Sequence, residues 1–197
     1  MCSSDLSVGT SPYSVAVNPA GTSAWVPNYN GGTISIINTS TNTVSATISG
    51  GGGFAIAFNP AGTRAYVGNG GSLRVIDTSN NADVTQVSTG LHYPVGVVVD
   101  PQGNFVYVAN DDNPSGNSVS AVDTSNNTVV ATIHTGINPV ALGNFAYPAA
   151  SITPASGSAA GGTTVGISGT GFTYATGVTI GGAAATNVTV GNDNFIT

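Results

Sequence analysis

Lysine and glutamate are absent from this 197-residue chain, and arginine occurs only as Arg64 and Arg74. Charged residues make up 5 % of the sequence, against roughly 25 % in ordinary soluble domains. Two strong helix formers are therefore missing, while Val, Ile, Thr, Gly and Asn abound. That balance favours strands joined by tight turns, so the expected class is all-β. Nucleic-acid binding rests on neutralising phosphates with Lys and Arg, and a chain of formal charge −6 with two cations is not expected to bind DNA or RNA. Long apolar runs are lacking as well. The longest aliphatic stretch lies around residues 95–99, far short of the roughly 20 residues a membrane helix needs, so no membrane insertion is expected. The single cysteine, Cys2, has no internal disulfide partner. It stands in Met1-Cys2-Ser3-Ser4-Asp5-Leu6, which reads as a translated sequencing scar, and residues 1–6 are set aside as a non-native leader.

What the chain does have is a period. Asn18-Pro19-Ala20-Gly21 returns as Asn59-Pro60-Ala61-Gly62 and again as Asp100-Pro101-Gln102-Gly103. The offsets are 59 − 18 = 41 and 100 − 59 = 41, a length typical of propeller or solenoid units that need neighbours to bury their apolar faces. Each unit carries four apolar stretches. The first falls at 14–17, 54–58 and 95–99, the second at 24–28, 65–69 and 106–110. The third falls at 33–37, 73–76 and 119–122, the fourth at 44–48, 84–87 and 129–133. In the turn after the first stretch, Pro19, Pro60 and Pro101 preset φ and the Gly accepts conformations other residues avoid. Asn38, Asp77 and Asp123 lead the turns between third and fourth stretches, where an Asx side chain can accept a hydrogen bond from the backbone two residues on.

Tyr66-Val67-Gly68-Asn69 and Tyr107-Val108-Ala109-Asn110, with the looser Trp25-Val26-Pro27-Asn28, resemble the YVTN family of β-propeller repeats over residues 7–147. The stretch from Gly136 to Phe145 is similar to the closing segment of such propellers and begins like a fourth unit. The expected architecture is a partial β-propeller of three four-stranded antiparallel blades plus one extra strand. The resemblance implies a ring of typically seven blades. On this reading the N-terminal blades are missing, and they are expected as partners within the same polypeptide.

At Ser151 the period stops. Residues 148–150 read as a linker, and residues 151–197 bring Gly161-Gly162-Thr163, Gly169-Thr170-Gly171-Phe172 and Ile180-Gly181-Gly182 in order. This segment resembles the start of an IPT/TIG domain, which implies an incomplete immunoglobulin-like β-sandwich, truncated inside a strand. One inner face would stay uncovered, so the chain is expected to aggregate or fold poorly when expressed alone.

The search for chemistry finds little. A nucleophilic triad needs a base, and the histidines are His92 and His134, both at blade ends. No Glu exists for a glycosidase pair. Asp111, Asn113 and Ser115, followed by Gly116, resemble the first half of a calcium loop, but Val122 stands where the bidentate acid should be. The insertion reads as a polar, turn-rich loop, with calcium as the alternative. No catalytic residue and no cofactor are assigned. The expected function is that of a non-enzymatic secreted or cell-surface repeat protein, a binding or scaffold module for a protein or glycan partner. The alternative is a propeller enzyme, lactonase-like or quinoprotein-like, whose active-site residues lie in missing blades.

Overall fold

Each 41-residue unit closes into one four-stranded antiparallel sheet. The structure is a computed structural model that describes residues 6–111, 117–136, 139, 151–154, 156, 158, 162–168, 178–180, 183–192 and 195–197. The first blade runs β1 (Ala16–Val17), β2 (Ser23–Asn28), β3 (Thr33–Asn38), β4 (Thr43–Ser49). The second runs β5 (Ala55–Phe58), β6 (Arg64–Asn69), β7 (Ser72–Asp77), β8 (Ala82–Val87). The third runs β9 (Pro94–Val99), β10 (Phe105–Asn110), β11 (Ser118–Asp123), β12 (Thr128–His134). No helix occurs among the described residues. The extra strand expected beyond residue 136 and the linker at 148–150 lie outside the described residues.

The repeat extends to irregularities. The third and fourth strands shift register once in every blade, at Ile36/Ile37, Val75/Ile76 and Ala121/Val122. A bulge at a fixed place in each unit bends the outer strand and adds twist.

Blades are held face to face by apolar side chains. Ala16, Trp25, Ile34, Ile36 and Ile48 of the first blade pack with Ile56, Phe58, Ala65, Val67 and Ile76 of the second. Tyr66, Leu73, Val75 and Val87 of the second pack with Val97, Val99, Val106, Val108 and Val122 of the third. Blade two, with a neighbour on each side, thus buries both faces of its inner strands, which is why those strands read as nearly continuous apolar runs. The turns touch too: a Cβ on Gly62 would sit 3.3 Å from the Pro19 ring, and one on Gly103 3.1 Å from that of Pro60. Both glycines also hold φ of +69° and +77°, so the turn Gly serves conformation and inter-blade approach together.

Contacts divide the chain into two compact units, Met1–Phe145 and Ala146–Thr197. The second unit has its own all-β organisation. β13 (Ser151–Thr153), β14 (Gly166–Ser168), β18 (Phe195–Ile196) and β17 (Val190–Asn192) form one sheet in that order, and β15 (Thr179–Ile180) pairs with β16 (Ala183–Ala184). A hollow of about 420 Å³ in this unit is lined by Val165, Ile167, Val178, Val188 and Ile196 among others.

Candidate functional site

The turn residues sit where local hydrogen bonding needs them. Oδ1 of Asn38 accepts from the Ser40 amide at 2.9 Å and the Ser40 hydroxyl at 2.7 Å. Asp77 does the same with Ser79 at 2.9 and 2.6 Å, and Asp123 with Ser125 at 2.8 and 2.7 Å. The next residue ties the two hairpins of a blade: Oγ1 of Thr39, Thr78 and Thr124 donates to the carbonyls of Gly21, Gly62 and Gly103, each at 2.7 Å. These side chains are therefore occupied in holding turns.

The Ser79 hydroxyl and amide hold the Asp77 carboxyl below its ordinary range, and the Arg64 guanidinium, whose Nη1 donates to it at 2.7 Å, adds to this. Ser125 lowers Asp123 in the same way. A carboxyl lowered in the folded state contributes stability above its unfolded pKa, and that contribution is lost as pH falls through the folded value. Asn38 fills the same turn in blade one without a charge. Changing Asp77→Asn and Asp123→Asn together is thus expected to preserve the fold and flatten the acid dependence of stability. Urea midpoints at about pH 7 and about pH 3 should lie closer together in the double variant than in the wild type.

Opposite the turn end, four aromatic rings from all three blades meet. Tyr13 and Phe54 share a repeat position, 54 − 13 = 41, just before the first strand of their blades. Their rings meet edge to face at 5.1 Å. Tyr29, which follows β2, lies 4.0 Å from Phe54 and 5.8 Å from Tyr13. Tyr93, which precedes β9, lies 5.3 Å from Phe54, and its hydroxyl is 3.3 Å from that of Tyr29. Such offset and edge-on pairs are each worth about 1 kcal/mol beyond the area they bury.

Two backbone features build the quartet. A Cβ on Gly52 would overlap the Asn28 carbonyl, and one on Gly53 that of Gly68, so only glycine brings this connection close enough to seat Phe54 on Tyr29. Tyr93 holds φ of +50°, a conformation a bulky residue keeps only when its surroundings enforce it. Here the Asp111 amide donates to the Tyr93 carbonyl at 3.1 Å, buried Leu91 anchors the approach, and the His92 amide donates to Asn110 Oδ1 at 3.1 Å. The hydrogen bond with Tyr29 raises the Tyr93 phenol above its ordinary pKa, with burial and the nearby Asp111 charge contributing. Tyr13 and Tyr93 nonetheless remain exposed. Below them, Asn28 and Asn110 close the blade ends. Nδ2 of Asn28 donates to Thr33 and Ser35 at 3.1 and 3.0 Å, and Nδ2 of Asn110 to Ser118 and Ser120 at 3.1 and 2.9 Å. Oδ1 of Asp111 is enclosed and has no hydrogen-bond partner among the described residues.

The two histidines do not converge. His134, Ser118, Asn110 and Pro94 form one cross-strand row. His92 precedes the innermost strand and His134 ends the outermost, three inter-strand spacings away, or about 14 Å. Of the calcium candidate, Asp111 is described, while Asn113 and Ser115 lie outside the described residues. No three His, Cys, Asp or Glu side chains gather among the described residues.

Sequence reasoning missed the aromatic quartet. The period could have flagged Tyr13 and Phe54. Tyr29 and Tyr93 break it, since Gly70 and Asp111 stand at the first position in later blades and Ser11 and Gly52 at the second in earlier ones.

Residues 150–197 match the IPT/TIG domain model. The IPT/TIG segment thus covers the whole of the second unit's sheets, and β13 begins one residue inside it. A comparison with curated proteins finds no match. Among solved structures the chain is similar to hydrazine synthase of Kuenenia stuttgartiensis, with TM-score 0.60 and 22 % identity over 70 % of this chain and 40 % of that one. The chain therefore spans well under half of that structure's length. At that identity the likeness speaks for the fold alone, and it supports the propeller-like stacking of blades.

Proposed function

We propose that this chain is a non-enzymatic binding and scaffold module of a secreted or cell-surface protein, and that it holds a protein or glycan partner on the aromatic quartet. The observation that carries the reading is the convergence of Tyr13, Tyr29, Phe54 and Tyr93 from three blades onto one end, with two rings exposed. Loops on a rigid β-scaffold are where such sites collect. Of the two partners the quartet favours a glycan. It offers flat ring faces for stacking and the phenol hydroxyls of Tyr29 and Tyr93, with neither arginine beside them. The resemblance of the blades to YVTN repeats and the uncharged, Thr- and Asn-rich composition support the surface location.

The non-enzymatic reading rests on occupancy. Arg64 and Arg74 are paired with Asp77 and Asp83, and Asp100 caps the Phe105 amide at 2.9 Å. Asp123 holds its turn, and the histidines stand a blade's width apart. This leaves Asp111 as the one uncommitted acid among the described residues. Saturation-transfer NMR against a panel of neutral oligosaccharides tests the reading. Sugar-ring protons should saturate, and Tyr13→Ala should weaken the best binder about tenfold, as loss of a central aromatic anchor does. Binding that is unaffected by both Tyr13→Ala and Tyr93→Ala would remove the quartet from the account.

A further inference from the structure

Two positions of the repeat are small and polar in blade one alone. Ser23 pairs with Asn38 across β2 and β3, as Arg64 does with Asp77 and Phe105 with Asp123. Blade one thus has a hydroxymethyl group where the other blades carry a large side chain. In blade two that side chain forms an ion pair, Arg64 Nη1 lying 2.7 Å from Asp77 Oδ2. The residue bulged out of the fourth strand follows the same pattern. It is Ser45 in blade one, Val84 in blade two and Val130 in blade three.

Both exceptions open onto one place. A cleft of about 250 Å³ lies between blades one and two at the turn end, opposite the aromatic quartet, with Ser23, Ser45, Trp25, Phe58, Thr78 and Asn81 among its lining. Each of its walls is a blade with all four strands in place. Its room is that of about eight water molecules. Side chains two apart along a strand share a face, so Ser23 stands beside Trp25 on the side turned to blade two.

The lining is uncharged and has two characters. Trp25 and Phe58, edge to face at 5.4 Å, make a narrow aromatic floor. The rim is polar. The Ser45 hydroxyl donates to the Ile36 carbonyl at 3.1 Å and the Thr78 hydroxyl to the Gly62 carbonyl, so both keep lone pairs for an incoming donor. Ser23 Oγ accepts from the Trp25 indole at 3.3 Å and keeps its own proton to give. The Asn81 side chain makes no hydrogen bond among the described residues, which leaves an amide that can both donate and accept. None of the described residues lining the cleft is ionisable.

We infer that this cleft binds one neutral cyclic polyol, a single sugar ring or its like. Such a molecule turns C–H groups to the aromatic floor and hydroxyls, each a donor and an acceptor, to the mixed rim. A charged ligand would lose its hydration and find no counter-ion. The site shares no residue with the quartet and stands independently of it.

Trp25 is the only tryptophan, so its fluorescence reports the cleft directly. Titrating the full chain with methyl β-glucoside, methyl α-mannoside and myo-inositol should give a saturable emission shift with at least one of them. Ser23→Arg combined with Asn38→Asp copies the blade-two pair into blade one, and should weaken that binding by about tenfold or more. Ser45→Val, which copies Val84, should weaken it too and supplies a second variant if circular dichroism shows the first to be unfolded. Tyr13→Ala, at the opposite end, should leave the shift in place. No saturable shift with any of the three probes would overturn the inference, as would undiminished affinity in the folded cleft variants. Loss of the shift in Tyr13→Ala would also overturn it, because the sugar would then sit on the quartet. Failure of the cleft leaves the quartet reading standing, since that is read by saturation transfer on the Tyr13 and Tyr93 variants.

Discussion

Arg74→Ala is expected to destabilise the three-blade unit by about 3 kcal/mol, the largest loss at any polar residue in it. Arg74 is fully buried in β7, opposite Val67. In blades one and three the same register position holds Ser35 and Ser120, small hydroxyls bonded to the blade-end asparagines. Blade two puts a guanidinium there instead. Its Nε and Nη2 donate to Asp83 Oδ1 at 3.1 and 3.0 Å, Nη2 also to the Ser49 carbonyl at 3.3 Å, and Nη1 to the Gly51 carbonyl. One side chain thus ties the outer strand of its own blade to the connection arriving from blade one.

Truncation leaves two carbonyls without their donors and Asp83 without its counter-ion. Asp83 is partly solvated, which keeps the loss nearer the lower end of what a buried pair costs. The measurement is a urea titration followed by the fluorescence of Trp25, the only tryptophan, which lies in the blade-one to blade-two interface. A double-mutant cycle with Asp83→Ala separates the ion pair from the carbonyl contacts. If Asp83→Ala alone costs as much as Arg74→Ala, the staple to Ser49 and Gly51 contributes nothing.

The second large effect is a contrast between identical residues. Tyr66→Ala should cost about 3 kcal/mol, within the range for removing a packed aromatic, whereas Tyr107→Ala should cost less than about 1 kcal/mol in the monomer. Both tyrosines occupy one repeat position, 107 − 66 = 41, and both precede Val-x-Asn. Burial against blade three raises the Tyr66 phenol above its ordinary pKa, partly offset by Arg64. Tyr107 has solvent on that side. Equal midpoint shifts for the two variants at low protein concentration would mean that the blade-two to blade-three contact does not depend on Tyr66.

The sequence by itself determined the blades. A 41-residue period, four apolar stretches per period and fixed Asn-Pro-x-Gly and Asx-Thr-Ser turns located twelve strands within one or two residues of where they run. Local chemistry suffices there: Pro and Gly bend the chain, Asn38, Asp77 and Asp123 close hairpins on amides two residues away, and alternation is redundant across three copies. The IPT/TIG segment was legible for the same reason, as an ordered series of Gly- and Pro-marked turns.

What only the tertiary structure decided lies where the repeat is broken. Tyr29 and Tyr93 have no counterparts in the other blades, and their meeting with Tyr13 and Phe54 depends on inter-blade approach at Gly52 and on a left-handed backbone at Tyr93. Arg74, which the sequence shows only as one of two cations, is buried, because its partners come from strands and connections distant in sequence. The unequal exposure of Tyr66 and Tyr107 could not be read from the chain at all. Identical sequence motifs carry identical local preferences, and burial is a property of which face finds a neighbour.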